Sequence, residues 1–190
     1  MTPHFTIHAG EYLVGSFIEE KLDNLNVWVP ANDTGIDLLV TNKRNTRCVS
    51  LQVKYSKDYV PTHTTGQMQH NLKAIGWWSL TRTKIEESKA DLWVFVIPSF
   101  FHPERQFILM TPKELLDLLN RVHGSDAAKI QSYFSVTTKN RCFESRGLNK
   151  DDEESMAMHR YENQARDCTK YLNNWNALID RMKEKAEPSP

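Results

Sequence analysis

Three polar side chains in two neighbouring predicted strands are the residues of this chain best suited to chemistry. Asp37 lies in one short apolar run, and Gln52 and Lys54 lie in the next. Side chains two residues apart in a strand point to the same face of a sheet, so Gln52 and Lys54 share a face. The polar, turn-prone residues 42–46 predict a β-hairpin that brings Asp37 beside that pair. Burying a carboxylate, an amide and an ammonium group in strands is costly unless they serve one another or a bound ion.

A plain salt bridge across the hairpin between Asp37 and Lys54 is the structural alternative, and surface pairs of this kind contribute little. The apolar neighbours of the trio favour a site instead, because they place it in a half-buried strand pair. These neighbours are Ile36, Leu38, Leu39, Leu51 and Val53.

Basic residues surround the trio in the sequence, and residues 41–57 contain no acidic residue. We expect this basic group to lie beside the trio, where it would attract a phosphate backbone. Its members are Lys43, Arg44, Arg47 and Lys57.

The order of these residues resembles the PD-(D/E)XK nuclease superfamily in its Gln-x-Lys variant, which is similar to the Mrr-type and modification-dependent restriction nucleases. The family has a helix that carries an acid, a strand with Asp, and a hairpin that leads into (Glu/Gln)-x-Lys. Here Glu11 lies on the first predicted helix, Asp37 follows Gly35-Ile36, and Gln52-Val-Lys54 comes after the hairpin. The resemblance covers residues 1–110, and Gly35-Ile36 stands where the family has a leading Pro.

The resemblance implies an endonuclease that hydrolyses DNA phosphodiester bonds in restriction, repair or recombination, with Mg²⁺ or Mn²⁺ as its cofactor. Asp37, the Gln52 amide oxygen and the Val53 carbonyl would bind the metal, since Mg²⁺ prefers oxygen ligands. Glu11 would hold a water or a second metal. Lys54 would hold the attacking water or stabilise charge in the transition state. Gln in place of Glu removes one negative charge, so we expect weaker metal binding.

Two other functions stay open. A degenerate nuclease fold would bind nucleic acid or a partner without cleaving it, and an interaction subunit would dock through the C-terminal region. Cutting both strands needs two sites, so the nuclease interpretation also predicts a homodimer. Gln67 and His70, on a predicted helix over residues 66–83, are either phosphate contacts, as in related nucleases, or part of an exposed polar face.

The remaining pattern predicts an α/β fold with a restriction-endonuclease-like core, in which helices flank a central mixed sheet. We expect a first helix from about residue 7 to 22 and strands that alternate with the later helices. The predicted strands cover residues 26–29, 35–40, 48–55, 91–97, 106–110, 133–138 and 141–145. Thr111-Pro-Lys-Glu predicts the start of a helix, because Thr111 is a natural N-cap and Glu114 completes a capping box.

The C-terminal part differs in character, which divides the chain into a nuclease-like domain (1–150) and a helical appendage (151–190). Its less polar residues alternate at spacings of four and three, a pattern typical of a long helix. They are Tyr161, Ala165, Cys168, Leu172, Trp175, Ile179 and Met182. Such a helix would either pack on its own domain or form a dimer.

Composition excludes several classes. Lys and Arg total 24, and Asp and Glu total 24, so the chain is not a globally basic polycation. The longest apolar stretch, residues 90–101, is too short to span a bilayer, and we expect no membrane partner. The first residues have neither a basic nor an apolar segment, so we expect no signal peptide. Three cysteines without metal-binding spacing favour a reduced, cytoplasmic protein.

Overall fold

The computed structural model describes residues 7–32 and 34–183. Its strands are β1 (Leu25–Trp28), β2 (Leu38–Asn42), β3 (Cys48–Tyr55), β4 (Leu72–Thr81), β5 (Leu92–Ile97), β6 (Gln106–Met110), β7 (Lys129–Thr137) and β8 (Cys142–Glu144). Its helices are α1 (Ala9–Lys21), α2 (Val60–His63), α3 (Gly66–Asn71), α4 (Arg82–Glu86), α5 (Pro112–His123), α6 (Lys150–Ala157) and α7 (Asn176–Met182). Sheet A has the strand order β1-β2-β3-β5-β6, and sheet B has the order β4-β7-β8.

Sheet A is mixed, as the sequence predicts. Strands β1, β2 and β3 pair antiparallel, β3 and β5 pair parallel, and β5 and β6 pair antiparallel. Every residue of β5 and β6 is buried, which explains their unbroken apolar character. The fold is therefore a mixed α/β arrangement with helices flanking a central mixed sheet.

Helix α1 covers the face of sheet A that carries Val53. Its residues Val14 and Ile18 are fully buried in the core on that face. A Cβ added at Gly10 would lie 2.8 Å from Tyr55 Cβ and 3.1 Å from Val53 Cγ1, so only glycine allows this close approach of helix and strand. Helix α7 packs into the same core.

The predicted helix over residues 66–83 is wrong over most of its length, because α3 ends at Asn71 and a 10-residue strand follows. The strand, β4, alternates between more buried and more exposed side chains: Trp78 and Leu80 are buried while Ser79 is exposed. This period of two belongs to a strand rather than to a helix. A Cβ added at Gly76 would collide with the Trp78 ring and lie 2.8 Å from Ile97 Cγ1, so this glycine lets sheet B lie against β5.

Aromatic residues fill the core between the two sheets. The Phe95 ring of β5 lies 5.0 Å from the Trp78 ring and 5.1 Å from the Phe134 ring, measured between centroids and in edge-to-face geometry. Helix α5 closes this core with buried leucines. It begins with the predicted capping box: Glu114 N donates to Thr111 Oγ1 at 3.2 Å, and Thr111 N donates to Glu114 Oε2 at 2.9 Å.

The predicted long helix over residues 161–182 is also wrong. Helix α6 stops at Ala157, a 3₁₀ turn covers Thr169–Tyr171, and α7 begins only at Asn176. Backbone pairing with β8 explains the interruption, because Glu144 N donates to Arg166 O at 2.9 Å and Cys168 N donates to Cys142 O at 2.8 Å.

The apolar residues of that predicted seam are distributed over three separate cores of the chain. Tyr161 lies under α6, Cys168 lies between the sheets, and Trp175 and Met182 lie beside α1. The described part of the appendage therefore packs on the body of its own chain. Residues 184–190 lie outside the described residues.

Candidate active site

Asp37 is placed where strand β2 begins to leave β3. Its backbone N donates to Leu51 O at 2.8 Å, which continues the ladder that pairs Leu38 with Leu51. Two residues further along β3, the Asp37 carboxylate takes the position of a backbone acceptor, because its Oδ2 accepts from Val53 N at 2.6 Å. The same oxygen accepts from Gln52 Nε2. The structure thus brings Asp37, Gln52 and Val53 together at the end of the hairpin.

Lys54 lies on the same face of β3 as Gln52 and contacts the neighbouring strand. Its Nζ is 5.2 Å from the centre of the Trp93 ring, within the range of a cation–π interaction. Trp93 is itself opposite Gln52 in the parallel ladder. The half-buried ammonium group therefore lies beside an aromatic wall rather than on open surface.

Gln52 and Lys54 line a cavity of about 470 Å³ between the two sheets, which we call the central cavity. Its floor includes the buried rings of Trp78 and Trp93, and its rim includes Lys84, Lys89 and Glu87, all exposed. Lysines outnumber acidic residues in this lining, so the cavity favours an anionic ligand.

The basic turn is not beside the trio, contrary to the sequence prediction. The hairpin register pairs Thr41 with Cys48 at the turn end and Leu38 with Leu51 at the other end. At about 3.4 Å per residue, Asp37 lies about 17 Å from the start of the turn. Lys43, Arg44 and Arg47 thus belong to the far end of the hairpin, and the lysines that line the central cavity are others.

Glu11 lies on the opposite side of sheet A from Gln52 and Lys54. Its helix packs on the Val53 face, and the glutamate is 8% exposed. Glu11 Oε2 accepts from His8 N at 2.9 Å and so caps the start of its own helix. This contact is local, and a role for Glu11 in the site stays a prediction from the resemblance.

The other predicted contacts are spread over the surface. Lys57 Nζ lies 4.8 Å from the Tyr59 ring centre. Gln67 and His70 are exposed on α3, whose residue Met68 packs on the outer face of sheet B, away from the central cavity. The structure does not gather these three residues around Asp37.

Sequence reasoning missed Lys84, Lys89 and Trp93 of the central cavity. The sequence pattern places Trp78 on the predicted helix over residues 66–83, where it would stack on bases or pack the helix on the sheet, and it places Trp93 in the predicted strand over residues 91–97. The parallel pairing of β3 with β5 places Lys89, which precedes β5, near Gln52, and no local pattern reveals such a pairing. The alternation in β4 was the one available signal.

The described residues contain no group of three or more His, Cys, Asp or Glu side chains that could hold a metal ion. The set formed by Asp37, Gln52 and Val53 has a single carboxylate and differs from such a group. Among the described helices, none is long and apolar enough to cross a membrane.

Comparison of the chain with protein-family models, with curated proteins and with solved structures finds no match.

Proposed function

We propose that this chain is a metal-dependent endonuclease that hydrolyses phosphodiester bonds in DNA at Asp37, Gln52 and Lys54. The observation that carries the proposal is the Asp37 carboxylate, which two neutral N–H donors hold beside a lysine-lined cavity. Carboxylate oxygens are ligands that divalent cations prefer, and the adjacent lysines suit the phosphate that such a cation would activate.

The donor set fits a hard divalent cation such as Mg²⁺ or Mn²⁺. Since N–H and C=O of one strand residue point to the same edge, the Val53 carbonyl faces the edge at which Val53 N meets Asp37. Gln52 would add its amide oxygen after rotation of the amide group, whose Nε2 now faces Asp37. When bound, the cation supplies a water of lowered pKa and neutralises charge on the phosphate.

The residues of the chain have separable roles in this proposal. Asp37 anchors the cation through its anionic oxygens. Lys54 offers three N–H donors to a phosphate oxygen or to the attacking water, and the Trp93 ring restricts the side chain to the cavity wall. Lys84 and Lys89, on the rim, hold the nucleic-acid backbone by charge alone, so we expect their contribution to fall as salt rises.

The test is cleavage of plasmid, branched and modified DNA, and of RNA, in Mg²⁺ or Mn²⁺ by wild type, Asp37→Asn and Lys54→Met. We expect metal-dependent nicking by wild type and a loss of at least about a hundredfold in both variants. Lys57→Met is the matched control, since Lys57 lies over Tyr59 and not in the central cavity. Folded variants that cut as well as wild type would refute the assignment.

A second candidate function is nucleic-acid binding without cleavage. The hydrogen bond from Gln52 Nε2 to Asp37 favours it, because the amide then uses a metal-binding oxygen of Asp37 for internal contact. Gln52→Glu separates the two candidates. If wild type binds DNA without cutting it and Gln52→Glu gains metal-dependent cleavage, then the natural chain is a binding module on a nuclease-like site.

The homodimer is a further part of the nuclease proposal. Sedimentation velocity over a range of concentrations, with and without a DNA duplex, measures it directly. Association only on duplex DNA would fit an enzyme that assembles to cut both strands, whereas stable monomers on DNA would limit the enzyme to nicking.

A further inference from the structure

A second cavity, of about 260 Å³, lies on the outer face of sheet B. We call it the outer cavity. Helices α3 and α6 bound it together with β4 and β7, and its floor is formed by the buried residues Leu72, Ile75, Ser135 and Met156. Sheet B separates it from the central cavity, because successive strand residues face opposite sides. It is thus a separate candidate site.

A buried hydroxyl in the floor is arranged to accept a hydrogen bond. Ser145 Oγ donates to Tyr133 O at 3.4 Å, and the Ser135 and Ser145 hydroxyl oxygens are 2.7 Å apart. Either hydroxyl can be the donor in that contact, and in both cases the Ser135 oxygen, which has two lone pairs, keeps acceptor capacity. Ser135 is 1% exposed, and so a ligand N–H in the cavity would meet an acceptor shielded from bulk water.

The rim of the outer cavity carries charged groups of both signs. The Arg146 guanidinium carbon lies 5.7 Å from the centre of the Tyr133 ring, and the His63 ring centre lies 6.3 Å from the same point. Glu153 lies on the α6 side, where burial raises the pKa of its carboxyl group and His63 and Lys150 oppose that shift. An anionic ligand group at this rim would meet the Arg146 guanidinium beside Tyr133, whereas His63 lies where it interacts with Glu153.

The walls suit a flat ring. Tyr133 supplies an aromatic surface, and Met68 and Met156 supply flexible thioether side chains that adapt to irregular or planar shapes. The volume is just below the range for drug-sized ligands, about 300–1,000 Å³, which restricts the occupant to a small molecule.

We propose that the outer cavity binds a nucleoside monophosphate, with the base against Tyr133 and the methionines and the phosphate at Arg146. The base supplies a planar ring and N–H donors for the Ser135 oxygen. The phosphate supplies the acceptors that match a guanidinium group in two parallel hydrogen bonds. This site is independent of the proposed cleavage site, and its test involves neither metal nor DNA.

The test is calorimetric titration of the purified chain with AMP, GMP, CMP and UMP, and with the corresponding nucleosides. We expect at least one monophosphate to bind more tightly than its nucleoside by roughly tenfold to a hundredfold, the range for a charge-assisted hydrogen bond. Arg146→Gln should remove that difference. Arg105→Gln, which changes an exposed arginine between β5 and β6, is the control and should bind as wild type does.

Ser135→Ala tests the proposed hydrogen bond between the base and the Ser135 oxygen. It removes only the hydroxyl oxygen, so it should weaken monophosphate and nucleoside by the same factor, while Arg146→Gln weakens the monophosphate alone. Equal binding of monophosphate and nucleoside to wild type would overturn the proposal. The absence of any binding at millimolar ligand to a folded chain, or an Arg146→Gln variant that binds as wild type does, would overturn it equally.

Discussion

Two carboxylates, Asp37 beside sheet A and Glu144 in sheet B, have similar backbone contacts but different partners for their charge. Asp37 accepts from Val53 N at 2.6 Å, and Glu144 accepts from Tyr133 N at 3.3 Å, so each satisfies a strand N–H. Glu144 is fully buried, and its other oxygen accepts from Arg166 Nη1 at 2.9 Å. The two donors to Asp37 Oδ2 are neutral, and the side chain is half-buried next to the central cavity.

The difference separates a structural carboxylate from a candidate functional one. A buried charge needs a partner, and Arg166 compensates Glu144 within the chain. His123 Nε2 is also 3.1 Å from Glu144 Oε1, but the two atoms are not hydrogen-bonded. The Asp37 carboxylate, in contrast, is held by two neutral N–H donors, so its negative charge is suited to an external cation.

The largest expected effect follows removal of the charge on Glu144. Glu144→Gln leaves Arg166 without its anion in a largely buried place, and breaking such a pair costs about 3–5 kcal/mol. We expect about 3 kcal/mol, because the Arg166 side chain is 18% exposed and retains some contact with water. Urea unfolding of wild type and variant measures this loss.

Glu162→Gln is the control for that measurement. Glu162 pairs with Arg141 at 2.9 Å, but its side chain is 79% exposed. Exposed pairs contribute about 0–1 kcal/mol, so this variant should unfold close to wild type. Equal losses in Glu144→Gln and Glu162→Gln would contradict the structural role assigned to Glu144.

A divalent cation should stabilise the folded chain through Asp37. At a Mg²⁺ or Mn²⁺ concentration ten times Kd, binding to the folded state alone adds about 1.4 kcal/mol to the free energy of unfolding. Thermal unfolding with increasing metal should show this gain in wild type and not in Asp37→Asn. A gain of the same size in both proteins would place the cation elsewhere.

Replacing Asp37 itself should affect stability much less than replacing Glu144. Asp37→Asn keeps an oxygen that can accept from Val53 N, and so we expect a change within about 1 kcal/mol of wild type. Urea unfolding without metal checks this. A loss as large as that of Glu144→Gln would make Asp37 a structural carboxylate and remove the contrast between the two.

The smallest expected effect is a pH dependence at Asp167. Burial acts to raise the pKa of this carboxyl group, but hydrogen bonds from Thr169 and Arg141 outweigh it and hold the pKa below its usual value. A lowered pKa in the folded state contributes stability above the unfolded pKa, about 3.9, and that contribution is lost as pH falls through the folded value. The stability difference between wild type and Asp167→Asn should therefore shrink below about pH 4. A difference that stays constant from pH 6 to pH 3 would contradict the assignment.

The neighbourhood of Asp37 was predictable because its geometry is local. The turn between β2 and β3 spans a few residues, and the same-face relation of Gln52 and Lys54 follows from the strand period. The capping box at Thr111 is equally local, and it lies where the sequence predicts it. Each of these features depends on contacts within about 15 residues of sequence.

The two incorrectly predicted helices, over residues 66–83 and 161–182, lie where contacts between distant parts of the chain decide the structure. Residues 72–81 combine apolar and aromatic side chains in a length that fits either a helix or a strand. Pairing with β7 selected the strand, and Gly76 allowed the sheets to meet. Residues 161–175 have a helix-like spacing of apolar residues but form no α-helix. Backbone pairing with β8 and burial of these residues in three separate cores favour the irregular structure instead.

By itself, the sequence determined the mixed strand and helix content, the β2–β3 hairpin, the contact of Asp37 with Gln52, and the shared face of Gln52 and Lys54. The tertiary structure alone decided that β5 lies beside β3, that Trp93 meets Lys54, and that Lys89 replaces the basic turn near the site. Hairpins and caps form from neighbours in sequence, whereas distant segments meet according to which apolar faces remain to be covered. That choice depends on the whole chain and leaves no local pattern to read.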